Sequence, residues 1–177
     1  FSLPFEAERV VGMVAHALEI PAWEDGIEVL SAQPAWIALR LRCRKLTAER
    51  VLQFMHELEM DLPALERENI GTAFREMLLN AIEHGAGFDP NKTVEVSYVR
   101  TSRVLIYQIR DPGPGFSFKT LPHAAISNPQ DKPAEHILYR LEHDMRAGGF
   151  GILMVRNLVD ELFYNDKGNE VLLIKYL

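Results

Sequence analysis

Two glycine-rich segments and one helix-forming segment follow one another in this chain, and their order constrains its fold more than any other feature. The first glycine-rich segment, DPGPG at 111–115, ends an apolar run, and the second, GGFG at 148–151, opens another. Glycine permits backbone conformations and close approaches that a Cβ atom blocks. Upstream, residues 76–85 carry two acids, an amide and a histidine. This order of a polar helix and two adaptable backbone segments suits a nucleotide with its magnesium ion.

Length and composition indicate a globular domain. The chain has 177 residues, of which 47% are hydrophobic, which suffices for a sizeable core and argues against disorder. Its net charge is −6, and no basic tract is present, so we expect no direct nucleic-acid partner. No apolar run approaches the roughly 20 residues of a membrane span, and no signal peptide is visible. The only cysteine, Cys43, excludes an internal disulfide, so we expect a reducing, cytoplasmic location.

The amino-terminal residues suggest a piece of a longer chain, because the first residue is Phe1 rather than methionine. Residues 6–19 are amphipathic and predict a helix. With Leu3-Pro4-Phe5 before it, this helix resembles the tail of a response-regulator receiver domain, where a lysine stands in the place of Leu3. A packing or linker helix is the alternative. We therefore expect an amino-terminal helix and linker at 1–34 and a second domain at 35–177.

Hydrophobic periodicity predicts a mixture of strands and helices after the linker. Within the linker, residues 21–34 predict a connector with a short strand at 27–30. The connection 116–146 is long enough to suggest a lid. The predicted strands are 36–43, 94–100, 102–111 and 171–176, and the predicted helices are 47–58 with Thr47 as its cap, 63–84, 135–143 and 152–162.

The polar helix carries three side chains with the right chemistry for a metal-bound phosphate. Glu76, Asn80 and Glu83 lie at i, i+4 and i+7 and therefore share one helix face. An amide oxygen such as that of Asn80 is a suitable Mg²⁺ ligand, and the Glu76 carboxylate can accept a proton from an attacking hydroxyl. His84, one turn after Asn80, can donate to a phosphate oxygen. For this helix taken alone, an ordinary solvated face is the better explanation of the pattern.

The first glycine-rich segment follows a predicted strand. Asp111 ends that strand, where its carboxylate can accept a hydrogen bond from an exocyclic amine such as that of adenine. Gly113 and Gly115 permit close approach of the backbone. A tight turn is the alternative, because Asp-Pro-Gly is ordinary turn chemistry.

The second glycine-rich segment precedes a predicted helix. Gly148, Gly149, Phe150 and Gly151 leave backbone N–H groups able to face an anion, and the helix dipole adds to this at its start. Arg146 adds positive charge nearby. The pattern is not a P-loop, because no Gly-Lys-Ser/Thr follows. A glycine-rich helix cap is the alternative.

Taken together and in this order, the motifs resemble those of the GHKL ATPase superfamily. Glu76 and Asn80 resemble its asparagine box, residues 111–115 its first glycine box, and residues 148–151 its second. The resemblance covers roughly residues 36–177. It implies an α+β fold, a two-layer sandwich of a mixed β-sheet with helices on one face (the Bergerat fold), in which ATP lies between helix and lid.

Within the superfamily, the compact build is most similar to the anti-sigma-factor serine kinases. That resemblance implies Glu76 as general base, Asn80 as the Mg²⁺ ligand, Asp111 as the adenine contact and residues 148–151 as the phosphate contacts. It also implies two protein partners, a sigma factor and an antagonist that is phosphorylated on serine, and it leaves a homodimer open. The long segment 116–146 departs from the subfamily. Residues 169–171 are a second departure, because many superfamily members place a threonine here, near the adenine.

Two other functions stay open. One is a nucleotide-sensing module in which ATP orders the lid and the lid binds a partner without phosphotransfer. The other is the ATPase domain of a two-component histidine kinase whose acceptor histidine lies elsewhere. His56 is a poor acceptor candidate, because it lies too close in sequence to Glu76 for the usual two-helix dimerisation hairpin. An upstream receiver domain would favour a two-component output protein.

Overall fold

Strands form where apolar and polar residues alternate, and six of them make a single sheet. The computed structural model describes residues 26–117, 132, 134–142 and 150–177. The strands are Ile27–Gln33 (β1), Trp36–Arg42 (β2), Thr93–Arg100 (β3), Val104–Arg110 (β4), Glu161–Tyr164 (β5) and Glu170–Tyr176 (β6). The helices are Lys45–Leu58 (α1), Ala64–Asn80 (α2), Glu135–Glu142 (α3) and Gly151–Leu158 (α4), and a π-helical turn, Ala81–Gly85, directly continues α2.

The strand order in the sheet is β1-β2-β3-β4-β6-β5. The predicted α+β sandwich is confirmed, but the sheet is not mixed: every pairing between the described strands is antiparallel. The reason lies in the connections. Hairpins join β1 to β2, β3 to β4 and β5 to β6, and the long connection after β4 leads to the edge strand β5. The last hairpin then returns β6 beside β4 in the antiparallel sense.

One face of the sheet is buried and carries the helices, as predicted. Alternate residues of the two central strands point into the core, whereas their neighbours are half-exposed. Helix α1 buries Val51 and Met55, and α2 buries Phe74 and Met77. The core residues of β3 and β4 are Val94, Val96, Tyr98, Leu105, Tyr107 and Ile109.

An aromatic cluster joins the central strands to α2. The Phe74 ring stacks on that of Tyr107 with centroids 4.3 Å apart, and the Tyr98 ring lies 5.2 Å from Tyr107. The Tyr107 hydroxyl donates to the carboxylate of Glu59, which lies just after α1 and is 1% exposed. Burial raises the pKa of Glu59 to about 7, although the Tyr107 hydroxyl and nearby arginines oppose the shift. This pair ties the end of α1 to the middle of β4.

Two predicted helix boundaries were wrong. Helix α1 begins at Lys45, so Thr47 is not its cap but a buried residue within the first turn. Helix α4 ends at Leu158 rather than 162, because Val159 adopts an extended conformation and β5 follows at 161–164. The carboxylate of Asp160 accepts hydrogen bonds from the Tyr176 backbone and from a lysine of β6, which fixes this change of direction.

The predicted helix 63–84 consists of two parts. Regular α-helical geometry ends at Asn80, and the next five residues form the π-helical turn. A π turn holds more residues than an α turn, so the i, i+4, i+7 spacing that placed Glu83 on the face of Glu76 does not hold beyond Asn80.

The predicted connector contains more structure than expected. Strand β1 spans 27–33 and pairs with β2, with a register shift between Val29 and Ser31. The predicted helix 6–19 and the receiver-like Leu3-Pro4-Phe5 lie outside the described residues, and the division of the chain at residue 34 stays a prediction. No helix in the described part is long and apolar enough to cross a membrane.

Candidate functional site

The start of α4 lies directly against the polar residues of α2. A Cβ atom built on Gly151 would lie 3.0 Å from Oε2 of Glu76 and 3.8 Å from Nδ2 of Asn80. Both of these side chains are half-buried. Residues far apart in sequence therefore meet as the motif order predicts, and the absence of a side chain at Gly151 makes the close approach feasible.

The groups at this corner could bind a cation whose remaining ligands come from a phosphate. It combines a carboxylate, an amide and the first N–H groups of α4, which have no partners within a helix. The described residues contain no cluster of three or more histidine, cysteine or acidic side chains that would enclose a metal. Mg²⁺ commonly takes one or two protein oxygens and fills its octahedron with phosphate and water. The corner therefore fits Mg²⁺ bound together with a phosphorylated ligand.

Asp111 sits where the π-helical turn meets the end of β4. A Cβ atom on Gly85 would lie 2.2 Å from Cγ of Asp111, and one on Gly113 would lie 2.6 Å from the carbonyl oxygen of Gly85. The backbone N–H of Gly113 donates to Oδ1 of Asp111 at 2.7 Å. Any side chain at either position would clash, so both contacts require glycine. Gly85 ends the π-helical turn and also allows Asp111 to pack against it.

The electrostatics of Asp111 suit a hydrogen-bond acceptor for a ligand. Burial raises the pKa of Asp111, while the Gly113 N–H and the Lys167 ammonium act in the opposite direction. Oδ1 is engaged by Gly113, and no described residue donates to Oδ2. That oxygen is available to an N–H group of a bound molecule.

The turn between β5 and β6 holds the Asp111 segment from the other side. Asn169 is buried, and its Nδ2 donates to the carbonyl oxygen of Asp111 at 2.9 Å, while the Asp111 N–H donates to the carbonyl of Asn169 at 2.9 Å. Lys167 Nζ donates to the carbonyl oxygen of Gly113 at 2.9 Å. Sequence reasoning missed Lys167 and noted Asn169 only as a departure. The Lys-Gly-Asn turn before the last strand was the available signal.

Comparison with known proteins agrees with this geometry. Residues 41–175 match the family described as histidine kinase-like ATPase domain. The chain belongs to this family. It is also similar to proteins named anti-sigma F factor: 30% identical to that of Anoxybacillus flavithermus over 130 residues (72% of this chain, 80% of the relative) and 30% identical to that of Geobacillus sp. strain WCH70 over 122 residues (67% and 75%). The anti-sigma F factor of Geobacillus kaustophilus is 27% identical over 122 residues (67% and 75%).

Membership in the histidine kinase-like ATPase family implies that the domain binds ATP. In the ATPase domain the two candidate ends of the site share one helical segment. Glu76 and Asn80 lie before the π-helical turn, and Gly85 at its end touches Asp111. Gly85 follows Glu76 by nine positions along this segment, which is α-helical to Asn80 and π-helical from there. The spacing between the two ends is therefore set by one continuous element.

Aromatic side chains of the ATPase domain connect the last hairpin to α2. The Tyr164 hydroxyl donates to Sδ of Met77 at 3.2 Å, and the ring of Phe116 packs edge-on against Tyr164 at 5.1 Å between centroids. Burial raises the pKa of Tyr164, and the nearby Asp111 carboxylate adds to the shift. Sequence reasoning did not find these residues, because aromatic residues in a strand or loop predict core packing alone.

The Phe150 side chain contacts the predicted lid segment, whereas the predicted role of its backbone toward phosphate stays a prediction. Its ring packs edge-on against the buried His136 of α3, with centroids 4.5 Å apart, and the residue itself is 48% exposed. Phe150 thus joins helix α3 of the predicted lid segment to the start of α4. Sequence reasoning had passed over His136, because no metal-ligand pattern surrounds it.

The remaining predicted residues of the ATPase domain fall into two groups. Glu83 is half-buried and His84 is exposed, both on the π-helical turn. Their roles stay predictions. Arg146, Gly148 and Gly149 lie outside the described residues, so only Gly151 and Phe150 of the second glycine-rich segment are placed.

Proposed function

We propose that this domain is an ATP-dependent serine kinase of the anti-sigma type, which binds a sigma factor and transfers the γ-phosphate of ATP to a serine of an antagonist protein. The observation that carries the proposal is the approach of Gly151 to Glu76 and Asn80. It brings an acid, an amide and a helix N-terminus to one point, and the same helical segment leads on to Gly85, which touches Asp111. Family membership supports ATP, and the similarity to anti-sigma F factors supports the sigma-factor partner.

In this proposal each residue has a separate task. The Oδ2 atom of Asp111 accepts a hydrogen bond from the adenine amine. The amide oxygen of Asn80 holds Mg²⁺, which when bound offsets the negative charge of the phosphates. Residues 148–151, with Arg146 and His84, contact the phosphates, and Glu83 lies beside them. These assignments for the undescribed residues come from the sequence.

Glu76 is the proposed general base. Its carboxylate accepts the proton of the serine hydroxyl, whose oxygen forms a bond to the γ-phosphorus while the bond from that phosphorus to the bridging oxygen breaks. ADP leaves, and the antagonist carries a phosphoserine. The backbone N–H groups at the start of α4 lie where negative charge can be stabilised without further rearrangement.

A second candidate function is nucleotide-controlled binding without phosphotransfer. Helix α3 exposes three apolar side chains, Ile137, Leu138 and Leu141, which are 42%, 62% and 69% exposed. Exposed apolar clusters of this kind commonly mark binding surfaces. Since α3 touches the start of α4 through Phe150, nucleotide bound there can alter the presentation of α3.

The partners and setting follow from the same resemblance. We propose a cytoplasmic protein with a sigma factor and an antagonist as partners and an upstream receiver domain as an input. A homodimer is compatible with this scheme. Comparing ATP turnover with and without the upstream region would test whether that region controls the domain.

Titration with Mg-ATP tests the nucleotide half of the proposal. We expect Asn80→Ala and Asp111→Asn to weaken binding at least tenfold, about 1.4 kcal/mol or more, since each removes a direct polar contact. Asn157→Ala, which removes an exposed amide on α4, is the matched control and should bind as the parent does. Parent-like binding by both site variants would contradict the site.

A phosphotransfer assay separates the two candidate functions. Incubation with radiolabelled ATP and a small antagonist protein should label a serine of the antagonist, and Glu76→Gln should bind ATP but fail to transfer. Binding of ATP without labelling of any candidate antagonist would favour the nucleotide-controlled binding module instead.

A further inference from the structure

We propose that the β5–β6 turn sets the base selectivity of the nucleotide site, with Lys167 and Asn169 as positioning residues that orient Asp111 toward a 6-aminopurine and against a 6-oxopurine. This inference rests on the proposed nucleotide site. It adds two residues that contact Asp111 and its loop rather than the nucleotide itself.

Asn169 holds the backbone of Asp111 at two points. One hydrogen bond runs from the Asp111 N–H to the Asn169 carbonyl and the other from the Asn169 side chain to the Asp111 carbonyl, each 2.9 Å long. The Asn169 amide is itself fixed, because its Oδ1 accepts from Nδ2 of Asn165 at 3.1 Å. Asn165 Oδ1 also accepts from the backbone N–H of Gly168 and of Asn169. The peptide groups on both sides of Asp111 are therefore locked to an ordered turn.

Lys167 holds the loop after Asp111. Its ammonium donates to the carbonyl oxygen of Gly113 at 2.9 Å, and Gly113 is the residue whose N–H donates to Oδ1 of Asp111. A lysine in this position also places positive charge near the carboxylate. The orientation of the Asp111 side chain thus depends on a chain of two hydrogen bonds that begins at Lys167.

The two backbones touch without intervening side chains. A Cβ atom on Gly115 would lie 1.9 Å from the Lys167 carbonyl oxygen, and one on Gly168 would lie 2.0 Å from the Phe116 carbonyl oxygen. Both glycines have positive φ, 78° and 76°. Contacts this tight transmit a shift of the turn directly to the loop, because packed groups have no free space to absorb it.

The consequence for the base follows from hydrogen-bond complementarity. Oδ1 of Asp111 is engaged by Gly113, which leaves Oδ2 to face the ligand. A 6-amino group donates to a carboxylate, whereas a 6-oxo group presents a second acceptor and repels it. Sites that hydrogen-bond one functional group reject an analogue that lacks it, provided that the partner is held in place. The turn supplies that fixed orientation.

Binding of two nucleotides to the same variants tests the inference. Dissociation constants for ATP and inosine triphosphate would be measured by calorimetry for the parent, Lys167→Met, Lys167→Arg and Asn169→Ala. We expect Lys167→Met to weaken ATP binding about tenfold, the value of one hydrogen bond from a charged donor, with a smaller change for inosine triphosphate. The preference for ATP should therefore fall in Lys167→Met and be retained in Lys167→Arg.

The control is Lys175→Met, which removes a lysine of β6 that pairs with Asp160 and should leave both dissociation constants unchanged. A readout free of nucleotide is the Gly113 amide resonance, which should move in Lys167→Met and stay in place in Lys175→Met. Because Asn169 is buried, its replacement can disturb the fold. The dissociation constants of Asn169→Ala are therefore interpreted only if this variant unfolds as cooperatively as the parent. If it does not, the exposed Lys167→Met variant alone tests the inference.

The outcomes separate the two proposals. The role of the turn would be overturned if the parent prefers ATP and Lys167→Met changes neither that preference nor the Gly113 resonance. That result would leave the proposed nucleotide site intact. A parent that binds neither nucleotide would overturn the proposed function and this inference with it. A parent that binds both nucleotides equally would overturn the selectivity claim alone.

Discussion

The two ends of the candidate site are built differently. At the Asp111 end, hydrogen bonds from Gly113, Lys167 and Asn169 hold Asp111 and Gly113 in place. At the Gly151 end, the described residues make no hydrogen bond or ion pair to the side chains of Glu76 or Asn80, which meet Gly151 only by close approach. One end is organised by the protein, whereas the other keeps its polar groups available. This difference is consistent with the proposed site, in which Asp111 holds a rigid base and the Gly151 end holds a hydrated, metal-bound phosphate chain.

The largest expected effect is at the open end. Glu76→Gln keeps the size of the side chain and removes its capacity to accept a proton, so phosphotransfer should fall about 10²- to 10⁴-fold. ATP affinity should change little, because the proposed base acts on the serine hydroxyl. Single-turnover transfer measured beside a binding titration checks both values. Unchanged transfer would show that the acid contributes only to packing against Gly151.

A second substitution tests the organised end. Gly85→Ala would place a methyl group 2.2 Å from Cγ of Asp111. Gly85 does not have a positive φ, so the expected effect comes from this steric clash and not from backbone strain. Overpacking of this kind costs about 1–3 kcal/mol of unfolding free energy, and displacement of Asp111 should also weaken ATP binding. Urea unfolding and calorimetry measure the two effects. A variant as stable and as tight-binding as the parent would show that the Asp111 end is adaptable.

A third prediction concerns the support beneath both ends. Glu59 pairs with Tyr107, which lies on the strand that leads to Asp111 and stacks on Phe74, two residues before Glu76. Burial raises the pKa of the Glu59 carboxyl to about 7 in the folded protein, above its unfolded value of about 4.3. The stabilisation that this group provides is therefore complete below about pH 4 and is lost as pH rises toward 7.

Glu59→Gln should remove that pH dependence. The amide oxygen still accepts from Tyr107, and no charge has to be buried. Between pH 5 and pH 8 the parent should lose on the order of 2–3 kcal/mol of unfolding free energy relative to the variant. Urea titrations at four pH values measure the difference. If the unfolding free energies of the two proteins depend on pH in the same way, Glu59 is charged throughout this range. ATP affinity should be the same in both proteins.

Sequence reasoning found the elements of the site that carry recognisable chemistry. Glu76, Asn80 and Gly151 come together as their motifs predict, because helix periodicity and glycine both leave local signals. The contacts that organise Asp111 were not predictable in the same way. Lys167 and Asn169 donate to backbone carbonyl oxygens of the Asp111 loop. Every residue has such an oxygen, so the residue types of the loop do not indicate which carbonyl accepts a hydrogen bond.

The fold shows the same limit. Strand alternation predicted the central sheet, but the predicted helix 152–162 overlaps the start of β5, because Leu158, Val159 and Leu162 lie at helical spacing. Tertiary pairing with β6 decided the outcome. The π-helical turn was also missed: it ends at Gly85, which lies against Asp111, and the prediction had continued one regular helix to residue 84.

The smallest expected effect tests whether the two ends are independent. Gly71 lies inside α2, where a Cβ atom would meet nothing within 4 Å. Because alanine has a higher helix propensity than glycine, Gly71→Ala should stabilise the protein by about 0.5–1 kcal/mol, and it serves as the matched control for Gly85→Ala. Helix α2 with its π-helical turn carries Glu76 at one end of the site and the Asp111 contact at the other. If the ends are rigidly spaced, a stiffer α2 leaves the ATP dissociation constant unchanged. A change in that constant of threefold or more would instead show that α2 flexes when nucleotide bridges the open and the organised end.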